Sequence, residues 1–121
     1  MQMEIGVDII ENDRFSADIL ADEAFMSRYF TEEERKYCFS QYSPKEHFAA
    51  RFAAKEAVIK ALCGFGIRAK LWDIEIRNSI YNTLNVIVSN TPKLEGKSLE
   101  IKTSISHDET QSIAFVIITQ L

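Results

Sequence analysis

Apolar residues alternate along residues 4–10: Ile5, Val7 and Ile9 share one side, while Gly6, Asp8 and Ile10 share the other. That two-residue repeat predicts a strand. Asp8 interrupts it with a poor strand former. Over residues 13–28 the pattern loosens, with Phe15, Ile19, Leu20 and Phe25 at helical spacing and Asp or Glu between them. Thr31 followed by Glu34 is a capping box and opens a predicted helix carrying Tyr37, Cys38 and Tyr42. Ser43-Pro44 breaks or restarts that helix, Pro44 being suited to a first turn. A long helix follows, with Gly64 and Gly66 as the residues that end it. Alternation returns over residues 72–77 (W-D-I-E-I-R) and 81–89 (Y-N-T-L-N-V-I-V-S), and Asn90-Thr91-Pro92 forms a turn. It resumes over residues 99–105, and Ser106-His107-Asp108-Glu109 interrupts it. Residues 112–119 (S-I-A-F-V-I-I-T) are the most apolar and are expected at the sheet's centre. A strand, then helices, then closely connected strands predict an α+β fold: a largely antiparallel sheet with a long helix packed on it. No repeat, low-complexity segment or linker divides the chain, so residues 1–121 are expected to form a single domain.

The long helix carries the most informative pattern. At about 100° per residue, Phe48, Phe52, Ile59 and Leu62 form one stripe, the expected core face. Glu56 flanks that stripe with Lys60 one turn further along. Arg51 lies on the other flank, and Lys55 falls within the stripe's own arc. An ordinary amphipathic helix keeps its charges on the far side. A half-buried carboxylate needs a cation or a metal beside it, which makes Glu56 the first residue to explain.

Composition narrows the classes. A length of 121 residues, 46% hydrophobic, suits one globular domain with a real core. The formal net charge of -4 argues against a duplex nucleic-acid binder, which needs a basic excess. Cys38 and Cys63 show no C-x-x-C spacing, so neither a disulfide scaffold nor a structural zinc site is expected, and two free thiols suit a reducing cytoplasm. The N-terminal residues do not read as a signal peptide, and no apolar run approaches the roughly 20 residues needed to cross a bilayer.

Three elements are candidates for chemistry: Asp8, Glu56 with its neighbouring cations, and S-I-S-H at residues 104–107. Mg²⁺ is commonly held by one or two carboxylates together with substrate phosphates and water. Asp8 and Glu56 can supply the carboxylates, while Arg51 and Lys60 hold the remaining phosphate oxygens. His107 and the hydroxyls of Ser104 and Ser106 can donate to a phosphate. Plainer readings stand beside these. Asp8 can be an edge residue, and Glu56 with Lys60 a solvated pair on a helix face. Arg51 and Lys55 can bury only their stems. His47, in the first turn of the long helix, reads as structural.

Taken together, four motifs change that balance. G-V-D-I-I-E at residues 6–11, F-T-E-E-E at 30–34, R-F-A-A-K-E-A-V-I-K-A at 51–61 and S-I-S-H at 104–107 follow one another. In order and spacing the chain resembles the holo-acyl-carrier-protein synthase type of 4'-phosphopantetheinyl transferase, and W-D-I-E-I looks like that family's strand at the same point. The resemblance spans nearly the whole chain. It implies transfer of the 4'-phosphopantetheine arm of coenzyme A to a serine of an apo acyl carrier protein, releasing 3',5'-ADP, in fatty acid biosynthesis. By the same resemblance Asp8 and Glu56 match magnesium-binding carboxylates and Lys60 a lysine near the pyrophosphate. Arg51, His107, Ser106 and Gly64 are expected on the coenzyme A side. Catalysis would rest on Asp8, Glu56 and Lys60. Small members are typically homotrimers with active sites between subunits, and a cytoplasmic enzyme without nucleic-acid or membrane partners is implied.

Two departures accompany the match. The family commonly presents arginines to the acidic carrier along its first helix, but here Asp13, Asp18, Asp22 and Glu23 outnumber Arg14 and Arg28. Like charges weaken encounter with an acidic partner, so docking is expected to rely on Arg14 and Arg28. N-S-I-Y-N at residues 78–82 replaces a Gly-Lys-Pro turn. The acidic first helix also leaves open a non-catalytic module that binds coenzyme A or a carrier protein. A small enzyme acting on another phosphate ester is the remaining alternative.

Overall fold

The computed structural model describes residues 1–79, 81, 83–94 and 96–121. The opening alternation becomes β1 (Gln2–Glu11), longer than its pattern at both ends. Gly6 and Ile10 turn inward, whereas Met3, Ile5, Val7 and Ile9 are exposed by 50–64%. The strand therefore shows its apolar triplet to the outside.

The loose helix expected over residues 13–28 is divided. A 3-10 turn (Asn12–Arg14) leads into α1 (Ala17–Leu20), where the Ser16 hydroxyl accepts from the Ile19 N–H. Asp22 starts again as the cap of α2 (Glu23–Tyr29), its Oδ1 accepting from the Phe25 N–H at 3.0 Å. Two competing N-caps within six residues explain the break. The capping box of α3 (Glu32–Phe39) forms as expected, and Pro44 stands in the first turn of α4 (Pro44–Cys63). Gly66 takes the left-handed turn after α4 at φ 72°, while Gly64 keeps helical dihedrals.

Trp72 and Asp73 belong to a 3-10 turn (Leu71–Asp73), so β2 (Ile74–Asn78) begins two residues later than its alternation suggests. In β3 (Leu84–Val88) the strand is shorter than the run over 81–89; of the divergent 78–82 connection, residues 80 and 82 lie outside the described residues. A further 3-10 turn (Pro92–Leu94) precedes β4 (Leu99–His107) and β5 (Gln111–Gln120). Ser106 and His107 thus continue β4 instead of interrupting it. The Asp108 carboxylate, which accepts from the Thr110 and Gln111 N–H groups at 2.8 Å, makes the turn.

All pairing is antiparallel, in two sheets: β1-β5-β4 with β5 central as expected, and β2-β3. Helix α4 packs on β1 and β5, facing Ala114, Val116 and Ile118. Its other sides meet α3, β2 and β4. Burial is accordingly broader than one stripe. Six alanines, at 49, 50, 53, 54, 57 and 61, are buried with Phe48, Val58 and Leu62, whereas Phe52 and Ile59 are only half-buried. Small residues let β1 approach closely: a Cβ on Gly6 would collide with the Ala57 carbonyl oxygen.

A buried ion pair holds the helices to the second sheet. Lys55 Nζ donates to Glu34 Oε1 at 2.7 Å and to the Tyr29 carbonyl at 2.7 Å, and both charged side chains are within 1% of full burial. Glu34 Oε1 also accepts the Thr31 N–H at 2.8 Å, and Oε2 accepts the Ile76 N–H at 2.9 Å. One carboxylate therefore caps α3 and fixes α4 and β2. The reading of Lys55 as a solvated lysine with a buried stem is overturned; burial depresses its pKa, and the Glu34 charge and hydrogen bond oppose that shift. Among the described residues no helix is long and apolar enough to cross a membrane, and both cysteines are free.

Candidate active site

Close packing of Gly6 on Ala57 brings the third residue of G-V-D against the end of α4. Lys60 Nζ donates to the Val7 carbonyl at 2.9 Å and to Asp8 Oδ1 at 3.1 Å, so Asp8 contacts Lys60 directly, whereas the expectation set Asp8 beside Glu56 around a shared ion. Glu56, one turn before Lys60, is half-buried. Burial raises its pKa above the ordinary carboxylate range, and the Asp8 charge raises it further; the weaker opposing influences are Lys60 and then Arg14. Two acids, Asp8 and Glu56, therefore meet two cations here, Lys60 and Arg14. Gly64 follows at the same four-residue spacing, so Glu56, Lys60 and Gly64 lie along one side of α4. The Gly64 carbonyl accepts from Gln2 Nε2 at 3.0 Å.

No cluster of three or more metal-ligating side chains exists among the described residues. Two carboxylates suit Mg²⁺ only when substrate phosphates and water complete its shell. Asp8 and Glu56 supply two hard oxygen donors with Lys60 and Arg14 near them, and this donor set fits such an ion.

Arg51 belongs to a second cluster. It is 2% exposed, and its guanidinium lies 4.4 Å from the centre of the Tyr37 ring. Nη2 donates to Asn78 Oδ1 at 2.5 Å, while Nε is buried with no hydrogen-bond partner among the described residues. Arg51 is thus not the surface cation with a buried stem that its flank position allowed. His107 Nδ1 lies 3.4 Å from Glu46 Oε2, and its ring is 5.9 Å from that of His47. Burial lowers the His47 pKa, as do the nearby Arg51 and His107. Ser106 does not join His107. It pairs with exposed Ile113, while His107 pairs with buried Ser112, so the two occupy opposite faces of β4.

The two carrier-contact candidates are also separated. Arg14 lies close enough to influence Glu56. Arg28 stacks by the rings of Tyr29 and Trp72, with centroid distances of 5.6 and 5.3 Å. Of the acids that counted against docking, Asp13 is neutralised by Lys45 Nζ at 2.7 Å. Sequence reasoning missed Glu34, Asn78 and Trp72 as partners of the expected residues. Only Glu34 had a signal, its place in the capping box three residues after Thr31.

An acid pair beside a lysine, with a separate arginine and histidine cluster, lies on an α+β scaffold whose long helix packs on an antiparallel sheet. A family model described as the 4'-phosphopantetheinyl transferase superfamily matches residues 4–116, and the chain belongs to that family. It is 42% identical to the holo-[acyl-carrier-protein] synthase of Geobacillus sp. (strain WCH70) over 100% of this chain and 99% of that one. Among solved structures, a holo-(acyl-carrier-protein) synthase from Bacillus anthracis str. Ames in complex with CoA (3',5'-ADP) is 32% identical with a TM-score of 0.72, covering 97% of each chain. The Neisseria meningitidis holo-[acyl-carrier-protein] synthase is 31% identical with a TM-score of 0.79, covering 96% of this chain and 97% of that one.

Proposed function

We infer that this protein transfers the 4'-phosphopantetheine arm of coenzyme A to a serine of an apo acyl carrier protein, in fatty acid biosynthesis. The observation that carries the reading is the Asp8–Lys60–Glu56 arrangement within a chain of this family. Relatives of near-identical extent carry the synthase name, which supports it. Residues 1–121 act as one transferase domain, and the cytoplasm is its compartment.

In the reaction the serine oxygen bonds to the phosphorus bearing pantetheine. The bridging P–O bond breaks, and its electron pair leaves with adenosine 3',5'-bisphosphate. The serine proton goes to Glu56 or to a water beside it. Burial raises the Glu56 pKa above its ordinary value, which makes its carboxylate a better proton acceptor than an exposed one. Lys60, whose ammonium donates to Asp8 and the Val7 carbonyl, stabilises charge on the pyrophosphate oxygens in this reading. Asp8 and Glu56 would hold Mg²⁺, which when bound neutralises the pyrophosphate and stabilises the leaving phosphate. The coenzyme A side is assigned to Arg51, Ser106, His107 and Gly64, and the carrier side to Arg14 and Arg28.

The protein is incubated with coenzyme A, Mg²⁺ and an apo carrier protein, and the carrier's mass is measured. Gain of the phosphopantetheine mass is expected, with loss of transfer when the divalent ion is chelated. Tight coenzyme A binding without transfer to any apo carrier selects the binding-module reading instead.

A homotrimer completes the proposal. The outer face of β1 and β5 exposes Met3, Ile5, Val7, Ile9, Ile113 and Phe115, with Val7 opposite Phe115 and Ile9 opposite Ile113. So contiguous an apolar face marks an interaction surface. Sedimentation is expected to give a trimer for the wild type and a monomer for Phe115→Asp. A monodisperse wild-type monomer overturns the assembly. Ser106 opens onto this same face, whereas Arg51 and His107 lie apart from it.

A further inference from the structure

Trp72 is 45% exposed and carries a cation on each count that the structure offers: the Arg28 guanidinium 5.3 Å from its ring centre and the Lys70 ammonium 5.4 Å from it. Tyr29 extends the stack, its ring 6.3 Å from the indole. None of the ion pairs among the described residues includes Arg28 or Lys70. The nearest acid in sequence, Asp73, is buried, and its Oδ2 accepts the Lys70 N–H at 2.9 Å. Its carboxylate is thereby committed to the local turn. A chain of net charge -4 therefore keeps uncompensated cations around one exposed indole.

We propose that Trp72 and Lys70, together with Arg28, form a docking surface for the acidic face of the apo carrier protein. The proposal rests on the transfer reading and adds two residues that the first-helix arginines do not include. Stacking on aromatic faces holds both cations in place before a partner arrives, so little side-chain freedom is lost on binding. Tryptophan and arginine are the side chains most able to anchor an interface, and cations steer an acidic partner during encounter. Beside the stack, a cleft of about 110 Å³ lined by Ser27, Arg28, Tyr29, Thr31, Lys55 and Trp72 has room for one small side chain.

The test compares wild type, Lys70→Glu, Trp72→Ala and the control Lys97→Glu, whose exposed lysine lies elsewhere in the chain. Carrier binding is measured directly, and KM for carrier and for coenzyme A are measured separately. Both Lys70→Glu and Trp72→Ala are expected to raise carrier KM and Kd about tenfold, leaving coenzyme A KM and kcat at saturating carrier unchanged. The control is expected to match wild type. Carrier KM and Kd within twofold of wild type in both variants overturn the surface, as does an equal rise in the control. A rise confined to coenzyme A KM also overturns it, and assigns the cations to the nucleotide instead. If the wild type binds carrier but transfers nothing, the transfer reading fails, and weakened binding in the two variants still supports the surface. Absence of both binding and transfer overturns the two together.

Discussion

Lys55→Met lowers the unfolding free energy by about 3–5 kcal/mol, because removing one partner leaves the other charge buried and uncompensated. The change is close in shape, so a cavity contributes little and the loss reports the pair. Glu34 keeps two backbone N–H donors, from Thr31 and Ile76, but loses its only cationic partner within 4 Å among the described residues. The Tyr29 carbonyl loses its donor as well. Denaturant or thermal unfolding checks this, with a Tm lower by about 10–20 °C expected for a domain of this size. A loss below about 1 kcal/mol would show that water or a rearranged side chain satisfies Glu34. Glu34→Leu in the same background is not expected to restore wild-type stability, since the capping bond to Thr31 and the bond to Ile76 disappear with it. The pair also fixes where α4 sits. Glu56 is the next residue along that helix, so the structural ion pair and the chemical site share one rigid element.

Glu56→Gln has the opposite effect on stability and the largest on rate. Removing the base that accepts the serine proton is expected to lower kcat by about 10²–10⁴-fold. Stability follows from the sign of the pKa shift. Glu56 in the folded state titrates above its unfolded value, because burial and Asp8 disfavour its charge. Its ionised form therefore costs stability at pH above the folded pKa. The cost fades as pH falls and vanishes below the unfolded pKa of about 4.3. Without divalent cations, Glu56→Gln is expected to melt above the wild type at pH 7 and level with it near pH 4. Mg²⁺ added together with coenzyme A is then expected to raise the wild-type Tm at pH 7 beyond the effect of coenzyme A alone, and to add almost nothing for the variant. Equal melting at pH 7 removes the electrostatic strain from the argument. Retained transfer in the variant leaves water as the proton acceptor.

What could be read from the chain alone is what short-range physics decides. The Thr31–Glu34 box, Pro44 in a first turn and the alternation of residues 112–119 all act through neighbours a few positions apart. The order of elements then yields the α+β class, and the four motifs yield the family and the Asp8, Glu56 and Lys60 grouping. Alternation, however, carries no sign. It separates Ile5, Val7 and Ile9 from Gly6 and Ile10 without saying which set faces the core, and only packing on α4 turns the smaller set inward. Tertiary structure alone decided that Lys55 is wholly buried, since its fate depended on a carboxylate 21 residues away. It also decided that Arg51 lies beneath Tyr37 and that Ser106 and His107 face apart. For Lys55 and Arg51 the deciding partner is distant along the chain, and the free energy of burying a charge is set by what the fold places beside it.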